Sequence, residues 1–468
     1  MISPDGAARD FRGIRAELNL PEVFPAEVEA EAAAAAATPL DREDATDLPL
    51  VTIDPPGSRD LDQAMYVERV GDGFRVHYAI ADLGSIITPG GALDAEARRR
   101  GQTLYLPDGN VPLHPTVLSE GASSLLPDQV RPAALWTIDC GADGEPTGAR
   151  VRRALVRSIA QFDYAGVQST VDAGDPHPSI AELPALGRLR RELAVARGAV
   201  ELKLPEQEIA RDGEGWRPVL RRRTDVDDWN AEISLLTGMS AATMMLDAKV
   251  GILRTLPEPD DGAVAWLRRS AASLGIDWPA DLDPGRLLAG LDPAQPSALA
   301  LLMDATRLLR GAGYTAFDGE LPELRTHAGI AAAYTHVTAP LRRLVDRFGT
   351  EVCLAVCAGT EVPDWVRAAL PQLPDLMQGS DALANKVDRA CLDQVEAWVL
   401  AERLGEEFDA VVLRAEEDGG EVFVAEPPVI GRCVGGGLTE GATVRVRVVT
   451  ADPASRTVGF ELMRGDRA

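Results

Sequence analysis

Apolar and polar positions change rhythm three times along this 468-residue chain. Near the front, FPAEVEAEAAAAAATPL (24–40) reads as a helix that ends at Thr38-Pro39, because alanine is the strongest helix former. DLPLVTIDP (47–55) reads as a short buried strand closed by prolines. In GFRVHYAIADLGSII (73–87), Val76, Tyr78 and Ile80 alternate and predict a second strand. ALDAEARRRGQTLYLP (92–107) passes from a helix into a loop. PAALWTIDCGADGEPTGARVRRALVRS (132–158) predicts a hairpin: an apolar run, a GADGE turn and an alternating return.

Helical spacing dominates from about residue 180 to 404, most clearly at 183–198, 229–248, 296–313 and 382–405. From Phe408 the rhythm returns to strands, in FDAVVLRA, EVFVA, ATVRVRVVTAD and TVGFELM. Short strands joined by EEDGG and GGGLTEG turns predict a small five-stranded barrel of the OB type. The fold class is therefore α+β. A helical N-terminal extension covers 1–47, a mixed domain 48–404 and the barrel 405–468. No repeat with a period of 20–50 residues runs through the chain.

Composition adds an ordinary globular balance, 46% hydrophobic and 26% charged. The first residues lack the basic and apolar regions of a secretory signal, and no apolar run is long enough to span a membrane. Five scattered cysteines form no C-x-x-C pair, which suits a reducing interior, so a cytoplasmic monomer is expected. Cys353 and Cys357 stand four apart and read as one buried helix face. A formal net charge of −26 changes the picture more, since a general nucleic-acid binder carries a basic surface. Either the chain binds no nucleic acid, or its basic groups line a channel within an acidic exterior. All but three of the 47 basic residues are arginine, which suits bidentate phosphate contacts.

The sharpest chemistry lies in TIDPPGSRDLDQAM, where Asp54, Asp60 and Asp62 fall within nine residues on a loop broken by proline and glycine. Crowded carboxylates repel unless a hard cation such as magnesium gathers them. A solvated, turn-rich acidic loop has the same spacing. Asp60 and Asp62, two apart, can point the same way on extended backbone. A second feature is YTHVTAPLRRLVDRF (334–348), where Arg342 and Arg343 stand near an expected helix start that itself favours phosphate. A basic helix start paired with Asp346 is the plainer reading.

Taken in order, these segments resemble the ribonuclease II (RNB) family. TIDPPGSRDLDQAM looks like its acidic signature D-x5-D-x-D-D, and HYAIADLGSIITPGGALDAEARRRGQTLYLPDGNVPLHPTVLSEGASSLLPDQVRPA resembles the stretch that follows. THVTAPLRR is similar to the family's HxTSPIRRY-type segment and lies about 280 residues downstream. The closing strands resemble the RNA-binding barrel behind that catalytic domain, so the likeness covers roughly 48–468. The resemblance implies a 3′-to-5′ exoribonuclease that takes single-stranded RNA and releases nucleoside 5′-monophosphates with a divalent metal, Mg2+ or in a variant Mn2+. Asp54, Asp60 and Asp62 would hold or position the metal, and Asp62 is the carboxylate the chemistry most requires. Arg342 would stabilise charge on the phosphate, and Arg343 would support it or grip a neighbouring phosphate. Tyr105 matches an aromatic that stacks near the RNA 3′ end, and Tyr164 a second tyrosine of the site. Each tyrosine also reads as an ordinary core aromatic. Glu232 falls where the family carries a glutamate pair, of which one remains here. His336 is structural on the same match.

Two departures qualify the likeness. Gln63 stands where the family's fourth aspartate belongs; its carbonyl can ligate a hard cation but brings no charge. The 47 residues ahead of the first strand are too few for the cold-shock domains of larger members, so a shorter funnel and less processive degradation are expected. The closing barrel is acidic, a poor electrostatic funnel, although Arg445 and Arg447 share one face of a strand. Two rival readings stand beside the exonuclease. One is an RNA-binding protein whose site is degenerate at Gln63. The other is a metal-dependent hydrolase of a small phosphorylated ligand.

Overall fold

The strands expected at 47–55 and 73–87 both form, with a third strand between them. A computed structural model describes residues 9–213 and 215–463; the outermost parts of the expected extension and barrel, residues 1–8 and 464–468, lie outside the described residues, as does Glu214. Helices α1 (Arg12–Glu17) and α2 (Ala26–Ala36) come first. The alanine-rich segment is α2, with Val28 and Ala32 buried. A short β1 (Glu43–Asp44) leads to β2 (Leu50–Ile53), buried throughout. Then β3 (Gln63–Val70) and β4 (Gly73–Ala81) pair antiparallel, from Gln63↔Ile80 to Val70↔Gly73. The sequence reading gives no strand at β3, because it starts inside the aspartate-rich segment whose chemistry masks its alternation.

After α3 (Ala92–Arg100) comes a small hairpin, β5 (Leu104–Leu106) with β6 (Gly109–Val111). The hairpin expected at 132–158 is β7 (Val130–Cys140) with β8 (Pro146–Phe162). β8 is 17 residues long and pairs on two sides. It runs antiparallel to β7 as far as Arg157, then parallel to β2 over Ser158–Phe162. The sheet order β1-β8-β2-β3-β4-β7, with β8 also joined to β7, therefore curls round on itself.

Helices α4 (Tyr164–Asp172) and α5 (Leu183–Arg197) lead to a hairpin the helical rhythm did not predict, β9 (Glu206–Asp212) with β10 (Gly215–Arg221). Its β9 residues are half-buried or exposed on both faces, so they carry no apolar alternation. Next, α6 (Asp225–Ala248) opens on a capping box between Thr224 and Asp227. β11 (Val250–Thr255) and β12 (Gly313–Asp318) pair antiparallel around α7 (Asp261–Ser273), α8 (Pro284–Ala289) and α9 (Pro296–Ala305). Finally α10 (Leu344–Ala358), α11 (Asp364–Ala369) and α12 (Leu373–Ala401) precede the barrel. The main core packs the curled sheet against α6 and α10 and fully buries Tyr78, Trp136, Leu236 and Phe348.

Gly238 in α6 marks a close approach. A Cβ there would stand 2.3 Å from Tyr334 Cε2 and 2.5 Å from the Thr335 carbonyl, so only glycine admits the 334–343 segment against the helix. All five thiols are free; Cys353 is buried but Cys357 is exposed, because the last turn of α10 leaves the core.

The closed barrel runs β13 (Glu407–Glu416), β14 (Gly419–Ala425), β15 (Pro428–Val434), β17 (Thr457–Leu462) and β16 (Thr443–Asp452), around Phe408, Val412, Val422 and Phe460. Strand β15 escapes the sequence reading because Pro428 and Gly431 interrupt it. Arg445 and Arg447 do share a side of β16, but Glu407, Asp409 and Glu461 on neighbouring strands pair with them. That pairing cancels the charge a phosphate would meet. Among the described residues no helix is long and apolar enough to cross a membrane.

Candidate active site

The loop after β2 holds the three aspartates, and one buried leucine sets their direction. Asp54 follows the last residue of β2, and its N–H donates to the Phe162 carbonyl at 3.0 Å. Leu61 is fully buried, and its N–H donates to Ser124 Oγ at 2.9 Å. With Leu61 turned into the core, Asp60 and Asp62 on either side of it face one cavity, as their spacing predicted. This cavity of about 520 Å³ is lined by Asp54, Asp60, Asp62, Gln63, Tyr105 and Tyr164 together with Arg342 and Arg343. It falls within the size range of small-ligand sites.

Segment 334–343 reaches the cavity from the other side. Leu341 N–H donates to Asp62 Oδ1 at 2.7 Å, and Arg342 Nε stands 3.5 Å from Asp62 Oδ2. The Arg342 side chain is 46% exposed, so its guanidinium remains open to a ligand. Arg343 differs. Its Nε and Nη2 both donate to the fully buried Asp346 at 2.9 Å, and the helix α10 begins one residue later. Arg343 is therefore anchored to Asp346, as the plainer reading has it, yet it also lines the cavity. His336 is a neutral structural residue, with Nδ1 2.7 Å from the Tyr314 hydroxyl and burial pushing its pKa well below the usual range.

Tyr105 on β5 is 47% exposed, and its hydroxyl donates to Asp60 Oδ2 at 2.9 Å. Its ring is thus presented beside the carboxylates. Tyr164, at the start of α4, lines the cavity with its hydroxyl accepting from Asn230 Nδ2 at 3.2 Å. Glu232 is not brought to the cavity. On α6 the residues facing it include Asn230, Ala231 and Ser234, and the 100° step per residue turns Glu232 away. There burial raises its pKa, and Arg190 and Arg197 partly offset the rise. Of the two neighbouring positions, Ala231 faces the site.

Sequence reasoning missed Arg221, Arg223 and Asp227, which also line the cavity. Arg221 Nη1 and Nη2 donate to Asp227 Oδ1 at 2.9 Å, and Asp227 is the same carboxylate that caps α6. The only sequence signal was the turn-forming pair Gly213 and Gly215. Four arginines therefore converge on a cavity within a chain of net charge −26. Asp54, Asp60, Asp62 and Asp227 line the same cavity, so it gathers charge of both signs.

The aspartates are electrostatically uncomfortable. Burial raises the Asp54 pKa to about 7, with Asp60 adding to the rise and Arg342 opposing it. Burial also raises Asp62 to about 8, against the pull of Arg342 and the Leu341 N–H. Asp54 Oδ2 is buried and has no hydrogen-bond partner. Among the described residues no acidic, histidine or cysteine side chains form a ready-made metal cage. The unpartnered oxygen and the uncompensated carboxylates nonetheless fit a hard divalent cation, which takes oxygen ligands and offsets this charge.

Both aspartates hold their protons more tightly folded than unfolded. They favour the fold below the unfolded carboxylate range, and that contribution is lost as pH rises through about 7 and 8. In EDTA the protein should be about 4 kcal/mol less stable at pH 8.5 than at pH 6 by urea titration, an order-of-magnitude figure from linkage. The difference should vanish in the Asp54→Asn, Asp62→Asn double variant. A pH dependence unchanged in that variant would assign the effect elsewhere.

Comparison with known proteins places these residues in context. The RNB domain profile matches residues 42–349, and the RNase II-type exonuclease C-terminal S1 domain profile matches residues 406–463. Ribonuclease R of Escherichia coli (strain K12) is 33% identical over 321 residues, which cover 65% of this chain. The chain spans only 39% of that relative's length. The apo form of Mycoplasma genitalium RNase R aligns with a TM-score of 0.85 at 20% identity, over 97% of this chain and 77% of that one. Yeast Ssd1, described as a pseudonuclease, aligns with a TM-score of 0.71 at 16% identity, over 88% of this chain and 52% of that one. At such identities the structural likeness is one of fold alone.

Proposed function

The chain belongs to the RNB-domain exoribonuclease family, and we propose that it hydrolyses single-stranded RNA from the 3′ end with a divalent metal. One observation carries the reading. Asp54, Asp60 and Asp62 meet Arg342 in one cavity, although about 280 residues separate the two segments. The fold cannot carry it alone, since a pseudonuclease shares that fold.

Each residue then has a task. Asp54, Asp60 and Asp62 would hold the cation, which when bound neutralises phosphate oxygens and lowers the pKa of an attacking water. Arg342 meets the charge that develops on the scissile phosphate, and Asp62 fixes both its guanidinium and the Leu341 N–H beside it. Tyr105 offers its exposed ring for a base near the 3′ end, and Tyr164 offers a second. Stacking on a ring suits an enzyme without sequence preference, at roughly 1–3 kcal/mol per base. The products should be nucleoside 5′-monophosphates, read by chromatography of a digested single-stranded oligonucleotide in Mg2+ or Mn2+. Turnover of a small phosphomonoester that long RNA does not inhibit would contradict this reading and favour a small-molecule hydrolase.

A further inference from the structure

Gln63 is the first residue of β3, next to Asp62, and every polar atom of its side chain is engaged. Its Nε2 donates to the Thr338 carbonyl at 2.8 Å. Its Oε1 accepts from the Tyr78 hydroxyl and, at 3.4 Å, from Ser234 Oγ. Those two hydroxyls also stand 2.8 Å apart, which closes a small network between β3, β4 and α6. Tyr78 is fully buried, and burial pushes its pKa far above the ordinary value, so it remains a proton donor. A carbonyl oxygen has two lone pairs, and both face hydroxyls here. The amide nitrogen only donates. Nothing on this side chain is left to ligate a cation.

The group that Gln63 holds matters as much. Thr338 is buried and stands four residues before Arg342. Segment 338–342 is fixed at three points: Gln63 on the Thr338 carbonyl, Asp346 on the Ala339 N–H at 2.7 Å, and Asp62 on the Leu341 N–H at 2.7 Å. Gln63 and the residue just before it thus grip both ends of the arginine-bearing segment. An aspartate at 63 has no N–H for the Thr338 carbonyl and would set negative charge against it.

We propose that Gln63 is a positioning residue, not a metal ligand: its amide clamps the Thr338 carbonyl and so fixes where Arg342 stands. The cation's carboxylates are then Asp54, Asp60 and Asp62 alone. The role of Arg342 rests on the function proposed above, but the clamp itself does not.

The test uses the full chain and Gln63→Leu, with three readouts. Calorimetric Kd for Mn2+ alone should stay within about twofold, while amide exchange at Leu341 and Arg342 quickens about tenfold or more as the buried carbonyl loses its partner. With RNA, kcat should fall about tenfold or more with KM little changed, the pattern of a group acting on the transition state through Arg342. If Gln63→Leu fails to fold, Gln63→Glu at a pH where its carboxyl is ionised replaces the N–H with a charged acceptor facing the Thr338 carbonyl, and its exchange should quicken likewise. A Mn2+ Kd that weakens about tenfold or more in Gln63→Leu, with exchange unchanged, would make Gln63 a ligand and overturn the clamp. Exchange and Mn2+ binding need no turnover. A wild-type protein that leaves RNA intact but shows quickened exchange in the variant would sink the proposed function and leave the clamp standing.

Discussion

Asp62→Asn lowers kcat on single-stranded RNA by about a thousandfold or more, roughly 4 kcal/mol of lost transition-state stabilisation. RNA affinity stays within about threefold, because stacking and the arginines around the cavity supply binding. Asp62 is 5% exposed and its carboxylate serves two neighbours at once, the Leu341 N–H and the Arg342 guanidinium. The asparagine oxygen can still accept from Leu341. Its amide nitrogen then faces Arg342 donor to donor, and the negative charge that suits a cation is gone. Single-turnover cleavage with a parallel gel shift measures both quantities. Cleavage at the wild-type rate would remove Asp62 from the chemistry.

Arg342→Ala is the second large effect, about a hundredfold to a thousandfold in kcat, or roughly 2.7–4 kcal/mol, the usual scale for losing one positioned donor at a developing charge. KM should move far less. Arg342→Lys should recover only part of the loss, since an ammonium cannot reproduce the planar fork. The adjacent Arg343 sharpens the contrast. Its Nε and Nη2 are bonded to Asp346, whereas Arg342 has only a 3.5 Å approach to Asp62. Full activity in Arg342→Ala at saturating metal would show that the guanidinium left half-exposed beside Asp62 meets no phosphate.

These residues were legible because order and spacing carry information that composition lacks. The run Asp54, Asp60, Asp62 and the downstream Arg342 identified both walls of the cavity. The alternation around Leu61 gave the direction of two carboxylates. Strong periodicity also gave β2, β4, the β7–β8 hairpin, the long helices and most of the barrel. What stayed hidden shares one cause, the lack of a one-sided apolar pattern. The β9–β10 hairpin is half-buried on both faces, so Arg221 and Arg223 looked like a charged run between helices. Glu232 was misplaced because a helix position near the site need not face it; Ala231 does. The contacts of Gln63 stayed hidden too, since they come from Thr338, Tyr78 and Ser234, two of them more than a hundred residues away. The net charge left the matter open for a related reason: a sum over the sequence does not report which few arginines line one cavity.

The central claim is that the cavity joining the three aspartates to Arg342 degrades RNA from its 3′ end. A time course on 5′-labelled single-stranded RNA, with Mg2+, Mn2+ or EDTA, tests it most directly. The account predicts a ladder that shortens from the 3′ end in metal, mononucleotide release and no cleavage in EDTA. Intact RNA in both metals alongside a clear gel shift would contradict it, and would describe an RNA-binding protein built on a catalytic fold.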